Sequence, residues 1–312
     1  MKTFCVVNPA SSGGRTGRLW PGIQRQLEQA IGPVKSEFTT RSFAAVAITQ
    51  RALTDGNDRI IAVGGDGTVS EVANGFYRGR VPIHREAVLG FIMAGTGSDL
   101  RRTFGIESGL QSQILRLVSA QAREIDLGRV TFVKEDGQPD ERLFINISSF
   151  GLSGSIACRV NQATHSKRLG GRFSFMWNSA VGTICHRNRP IHLQIDDAFA
   201  ETMGVTTVAV ANGQFFGGGM WVAPGADPAD GLFDVVIMRD VGRLETMRDL
   251  PKVYAGRHLE NPKVRVVRGR KVTALPIEKE GGNAVLIEVD GESPGRLPAT
   301  FEILPRAIRV AA

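Results

Sequence analysis

The chain has 312 residues, 42% of them hydrophobic and 22% charged, which is the make-up of a folded protein with room for one large domain or two ordinary ones. No run of about 18 apolar residues occurs, so no membrane-spanning helix is expected, and the start MKTFCVVNPASSGGR breaks too soon for a secretory leader. Cys5, Cys158 and Cys185 lack metal-ligand spacing and fit a reducing cytoplasm, while a net charge of +7 suits an anionic partner or is simply a basic surface.

The first 127 or so residues alternate two patterns. Thr3–Pro9 is a short β-rich run and Gly17–Gly32 has helical spacing; Lys35–Thr40 reads as a strand and Arg41–Leu53 as a helix. Arg59–Val63 (strand), Thr68–Tyr77 (helix), Ala87–Met93 (strand) and Leu110–Ala120 (helix) follow. Such alternation predicts a parallel sheet flanked by helices. From Asp126 the pattern changes. Residues 129–151 read as two strands around Asp-Gly-Gln-Pro-Asp, and one helical region covers about Ser153–Arg187. Strands are then expected at Ile191–Asp196, Thr206–Ala211, Phe233–Met238, Lys263–Val267, Arg270–Ala274, Ala284–Val289 and Thr300–Leu304. A second domain of mostly antiparallel sheet is expected, and no internal repeat is visible.

Ligands of parallel sheets bind beyond the carboxyl ends of the strands. Three predicted strands end there in unusual loops: NPASSGGR (Asn8–Arg15), GGDGT (Gly64–Thr68) and AGTGSDL (Ala94–Leu100). Neither standard nucleotide signature is present. Asp66 and Asp99 occupy equivalent positions in two of these turns. Two carboxylates beside a phosphate need a cation between them, and Mg²⁺ with its waters suits the site. Asp66 equally suits the N-cap of a helix beginning at Thr68. The chemistry suggested is phosphoryl transfer from a Mg²⁺–nucleotide.

GGDGTVSEVANG resembles the nucleotide-binding signature of the diacylglycerol kinase-like lipid kinases, a family that includes sphingosine and ceramide kinases. NPASSGG, GTGSDL, APGADPADGLFDVVI (Ala223–Ile237) and EVDGES (Glu288–Ser293) are similar to its other blocks, in family order, over residues 3 to about 304. The resemblance implies an α/β fold: an N-terminal α/β nucleotide-binding domain (1–127), a C-terminal mostly antiparallel β-sandwich for the lipid (128–312), and an active site in the cleft between. The last segment is free to pack back on the first domain. ATP would be bound by Asn8, Pro9, Ala10, Ser11, Ser12, Thr40, Gly65, Asp66, Gly67, Thr68, Val69, Ser70, Glu71, Thr96 and Asp99. Asp66 and Asp99 would serve the phosphate–Mg²⁺ network. Glu292 would be the general base, with Asp290 a close second. A structural Mg²⁺ would take oxygens from Asp227, Asp230 and Leu232, the first and last through their backbone carbonyls.

The residues themselves leave alternatives open. Asp290-Gly291 is also a strong hairpin turn, and DPADG is also an ordinary loop. Ser12 and Phe43 stand where the family usually has glycine, and Ser98 where it has asparagine. Arg101 and Arg102 would reach phosphate or form a solvated helix face, the second being the preferred reading. A lipid substrate requires peripheral association with the inner face of the membrane. Lys263, Arg265, Arg268, Arg270 and Lys271, or Lys167, Arg168 and Arg172, would serve this, or would be solvated faces. Arg172–Arg187, with Trp177, is core or acyl-chain contact; Asn212–Trp221 is the preferred acceptor wall. Two other readings are a NAD kinase-like phosphotransferase on a soluble acceptor and a non-catalytic nucleotide- or lipid-binding protein. The first leaves DPADG and VDGE unexplained; the second is opposed by the presence of Asp66, Asp99 and Glu292. No nucleic-acid motif is present. The acceptor lipid is not specified, and a homodimer is left open.

Overall fold

The structure, a computed structural model, describes residues 1–93, 98–119, 121–162, 188–277 and 284–311. The chain divides into two compact units, Met1–Asp126 with Pro305–Ala312, and Leu127–Leu304. In the first, β1 (Thr3–Val7), α1 (Ser11–Ile31), β2 (Lys35–Phe38), α2 (Ala44–Thr54), β3 (Arg59–Gly64) and α3 (Asp66–Gly75) come in turn. A small hairpin of β4 (Tyr77–Arg78) and β5 (Val81–Pro82), then β6 (Val88–Met93), α4 (Asp99–Thr103) and α5 (Leu110–Ser119), complete it.

The sheet is parallel, as the alternation predicts: β1 pairs with β2 and β3, and β3 with β6. Strands such as Ile60–Val63 and Val88–Met93 are apolar throughout because helices cover both faces. On one face Trp20, Ile23 and Leu27 of α1, at helical spacing, pack with Leu117 of α5 over Cys5, Val7, Ile61 and Val63. Parallel pairing brings the carboxyl ends of β1, β3 and β6 to one edge, and with them the loops that follow.

The second unit takes up the end of β7 (Arg123–Val133), then β8 (Pro139–Phe144), β9 (Ile147–Gly151), α6 (Leu152–Gln162), β10 (Arg189–Ile195) and β11 (Phe199–Ala211). A tight pair, β12 (Phe215–Phe216) and β13 (Met220–Trp221), leads to β14 (Phe233–Arg239), α7 (Arg243–Tyr254) and a 3-10 turn, Arg257–Glu260. Then come β15 (Val264–Gly269), β16 (Lys271–Pro276), β17 (Leu286–Val289) and β18 (Glu292–Val310). The ladders β9–β11–β14–β15, β11–β10–β16–β18 and β9–β17–β18 are antiparallel. Strand β11 sends Val208 and Val210 into the main core and Ala209 and Ala211 into a second one on its other face. The main core is aromatic: Phe144 stacks on Phe233 and Phe150 on Phe301, with centroids 5.6 and 6.0 Å apart.

Two elements depart from the sequence expectation. Strand β18 is far longer than Thr300–Leu304, and its end enters the first unit, where Arg309 and Val310 pair in parallel with Val88 and Leu89 of β6. Helix α7 is absent from the sequence expectation, its segment being mostly polar and interrupted by Pro251. The predicted helix Ser153–Arg187 is α6 at its start, and the rest lies outside the described residues.

Candidate active site

The loops after β1 and β3 meet at the edge of the first sheet, and one side chain ties them together. Asn8 donates from Nδ2 to Thr68 Oγ1 at 3.1 Å, and its Oδ1 accepts the Ala10 N–H at 3.1 Å. The Ser11 hydroxyl donates to the Asn8 carbonyl at 3.1 Å and shares a short hydrogen bond with Thr16. Ser12, Gly13 and Gly14 are all left-handed, with φ of 53, 65 and 83°. The regular part of α1 therefore starts only after this turn, packed against Pro9, whose carbonyl accepts the Gly17 N–H at 3.2 Å.

The glycines after β3 divide into two kinds. A Cβ on Gly64 would lie 2.4 Å from Thr68 Oγ1, so the fold itself excludes a side chain there. A Cβ on Gly65 or Gly67 would meet no atom within 4 Å. These two leave open the approach to the N-terminus of α3, where the leading N–H groups lack intrahelical acceptors and the helix dipole is positive. Such a cradle fits phosphate oxygens. Of the other residues assigned to the nucleotide, Ala10 and Thr40 are exposed beyond β1 and β2, and Ser70 is half-buried in α3. Val69 is fully buried, and Glu71 Oε2 accepts the Ala45 N–H at 3.2 Å in the first turn of α2. The side chains of Val69 and Glu71 thus serve packing and capping. Thr96 lies outside the described residues.

Asp66 is the first residue of α3 and does not cap a helix starting at Thr68. Its carboxylate turns to α4, with Oδ2 accepting the Asp99 N–H at 3.2 Å and Oδ1 the Leu100 N–H at 3.0 Å. Asp99 is buried and pairs with Arg102 at 2.8 Å. Asp66 keeps some surface at the loop mouth, yet its carboxyl group is enclosed by protein. That desolvation holds its pKa above the usual carboxylate range, against the opposing pull of the Leu100 and Asp99 N–H groups and the Arg102 guanidinium. A bound cation would relieve this cost. Both carboxylates already have partners, so the donor set fits Mg²⁺ held largely through its own waters. Arg101 donates to the Ile106 carbonyl, so neither arginine is part of a merely solvated face.

In the second unit the Asp-Gly turn is real: Asp290 and Gly291 have φ of 46 and 92° and join β17 to β18. Asp290 Oδ2 accepts the Ile145 N–H at 2.9 Å, and Oδ1 accepts those of Asn146 and Ile147 at 3.1 and 3.2 Å. Both oxygens are committed to backbone, so this geometry makes Asp290 a positioning group rather than a base. The side chain of Glu292 is exposed and makes no hydrogen bond or ion pair with another described residue. Sequence reasoning missed Glu288, which is buried under the same turn. Its two oxygens accept the Ser149 hydroxyl and the Gly291 N–H, both at 2.5 Å. The available signal was a charge inside the apolar run Val285–Val289. Two carboxylates brace the turn, and the Glu292 side chain stays exposed beside it.

In the loop after β13 the carboxylates already have partners within the protein. Asp230 is ion-paired with Arg268, whose Nε also reaches the buried Asp234 at 3.0 Å. Asp230 Oδ1 accepts the Leu232 N–H at 3.0 Å, and Asp227 Oδ1 the Ala229 N–H at 3.0 Å. The guanidinium supplies the positive charge that a divalent ion would bring. Among the described residues no three His, Cys, Asp or Glu side chains form a metal-holding cluster. The basic stretch is also compensated: Lys263 pairs with Glu245, Arg265 with Glu201 and Lys271 with Glu302. Lys167, Arg168, Arg172 and the Arg172–Arg187 segment lie outside the described residues. In the preferred acceptor wall, Phe215 and Trp221 stack on each other with centroids 5.6 Å apart, and both stay half-buried. No helix among the described residues is long and apolar enough to cross a membrane.

Comparison with known proteins gives a consistent picture. Residues 2–130 match the diacylglycerol kinase catalytic domain, and residues 148–312 the YegS C-terminal NAD kinase beta sandwich-like domain. A diacylglycerol kinase of Mycobacterium tuberculosis (H37Rv) is 26% identical over 310 residues, covering 99% of this chain and 94% of its own. One of Bacillus subtilis (strain 168) is 27% identical, covering 98% and 94%. A crystal structure of a diacylglycerol kinase from Bacillus anthracis superposes with a TM-score of 0.70 at 19% identity, over 99% of this chain and 96% of that one. Yeast NADH kinase complexed with NADH shares the fold more distantly, with a TM-score of 0.50 at 10% identity, over 99% and 82%.

Proposed function

The chain belongs to the diacylglycerol kinase-like family of lipid kinases, and from that premise we propose that it moves the γ-phosphate of ATP, with Mg²⁺, onto a lipid hydroxyl. The observation that carries the donor half is the pair of open glycines, Gly65 and Gly67, on either side of Asp66. Backbone N–H groups there receive phosphate oxygens, and Asn8 holds the first loop against Thr68 beside them. Mg²⁺ would be held by Asp66 and Asp99, and when bound it neutralises charge on the transferring phosphoryl group. Glu292 accepts the acceptor's hydroxyl proton as that oxygen bonds to phosphorus and the bond to ADP breaks. Asp290 and Glu288 fix the turn that carries it.

The names of the relatives make diacylglycerol the first acceptor to test. Peripheral binding to the membrane follows from any acceptor of this class. The test is Asp66→Asn, which keeps one acceptor oxygen for α4 and removes the charge. Phosphate transfer should fall by about 100-fold or more, as when one preorganised charge-stabilising group is lost, while urea unfolding should register a cost of no more than about 1–2 kcal/mol. Full activity in that variant would remove Asp66 from the mechanism.

A further inference from the structure

Helix α7 is mounted by its polar side. Asp249 is buried and pairs with Arg248 at 2.9 Å and Lys252 at 3.1 Å. Asn261, just beyond the 3-10 turn, donates to Glu245 at 3.1 Å and to Asp249 at 3.2 Å. Lys263 closes the same contact on Glu245 at 2.6 Å. Helical spacing sets Leu244, Met247, Pro251 and Tyr254 along one face, with Leu250 at its border. Leu244 is 84% exposed, Met247 47%, Leu250 37% and Tyr254 39%. Surface helices normally do the reverse and bury the apolar stripe. An exposed, continuous apolar face on the outside of a folded unit marks a contact surface.

The chemistry of its border selects the occupant. Arg243, Arg248 and Lys252 lie on α7 itself. Between residues 243 and 263 five cations face three carboxylates; Arg257 pairs with Glu260 and Lys263 with Glu245, so the net +2 lies on α7, in Arg243 and in Arg248 and Lys252, which share Asp249. One of those three carboxylates, Asp249, is turned inward. A helix with an apolar face and a cationic rim is suited to lie in the headgroup layer of a membrane. We propose that α7 docks the protein on a bilayer carrying anionic lipid, with Leu244, Met247 and Tyr254 entering the headgroup region and the rim cations meeting lipid phosphates. This rests on the lipid-kinase reading and names the surface by which that activity reaches its substrate.

The test is cosedimentation of the full chain with phosphatidylcholine vesicles, with and without phosphatidylglycerol. Leu244→Ser/Met247→Ser changes exposed side chains, and its unfolding curve should match the unmodified protein. Its affinity for the anionic vesicles should drop at least about tenfold, with phosphorylation of vesicle-borne lipid falling in parallel. Turnover of detergent-dispersed diacylglycerol should be unchanged. Equal binding of variant and unmodified protein, or equal binding to vesicles without phosphatidylglycerol, would overturn the proposal. So would light scattering that finds a dimer which the substitutions dissolve, since a second copy would then cover the face. If the lipid-kinase reading alone is wrong, anionic vesicles are still bound through α7 but dispersed lipid is not phosphorylated.

Discussion

Replacing Asp290 separates a braced turn from a catalytic base. Its carboxylate receives three backbone N–H groups, from Ile145, Asn146 and Ile147. In Asp290→Ala these donors lose their acceptor at about 1 kcal/mol each, and alanine at φ 46° adds about 1 kcal/mol of left-handed strain. The total is about 4 kcal/mol, which equilibrium urea unfolding resolves easily. Asp290→Asn keeps one oxygen and tolerates the left-handed backbone, so its cost should be only about 1–2 kcal/mol. An amide cannot take a proton at neutral pH. If Asp290 were the base, Asp290→Asn would be folded and inactive; as a brace, it should retain most of its activity. Glu292→Gln should give the opposite result, with stability unchanged and transfer lost. A stable, inactive Asp290→Asn, or an Asp290→Ala as stable as the unmodified protein, would refute this reasoning.

Ser12 and Phe43 both hold left-handed φ, 53 and 62°, so Ser12→Gly and Phe43→Gly should each raise stability by roughly 0.5 kcal/mol, the strain relieved exceeding the added chain entropy. Chemical denaturation checks this, and a loss of stability would contradict it. Gly64→Ala and Gly67→Ala should part company: the first places a Cβ 2.4 Å from Thr68 Oγ1 and should cost about 1–3 kcal/mol. The second fills empty space, so helix stability should hold or rise while the KM for ATP increases; unchanged kinetics would oppose the cradle. Burial keeps the His258 pKa below its ordinary value, with Nε2 donating to the Val222 carbonyl at 2.9 Å. The unfolded chain then binds more protons, so acidification below about pH 6.5 should erode stability, a slope that His258→Asn would lose.

Much of this architecture can be read from the chain, and the failures have physical causes. Buried parallel strands announce themselves as runs such as Ile60–Val63, and the glycine loops are legible because they follow those runs. The Asp290-Gly291 turn is likewise local, needing only two residues that accept positive φ. What Asp66 does is not local: its carboxylate caps α4, more than thirty residues away, and nothing beside Asp66 in the chain says so. Arg268 pairs with Asp230 from a distant strand, a partner that neither the loop nor the family resemblance reveals. Glu288 hides within an apolar strand because its partners, Ser149 and Gly291, come from elsewhere in the unit. Helix α7 escaped because its sequence is mostly polar and carries Pro251, a residue that signals a helix end. The departures at Ser12 and Phe43 become intelligible only with backbone angles: both sit where a glycine would be free of strain.

The most direct test of the account is to incubate the protein with ATP labelled at the γ-position, Mg²⁺ and a total lipid extract, and to identify the labelled product. The account predicts label in a phosphorylated lipid, at a former hydroxyl, and its loss in Asp66→Asn and Glu292→Gln. Label in a nucleotide such as NADP when NAD is supplied, with none in any lipid, would contradict it.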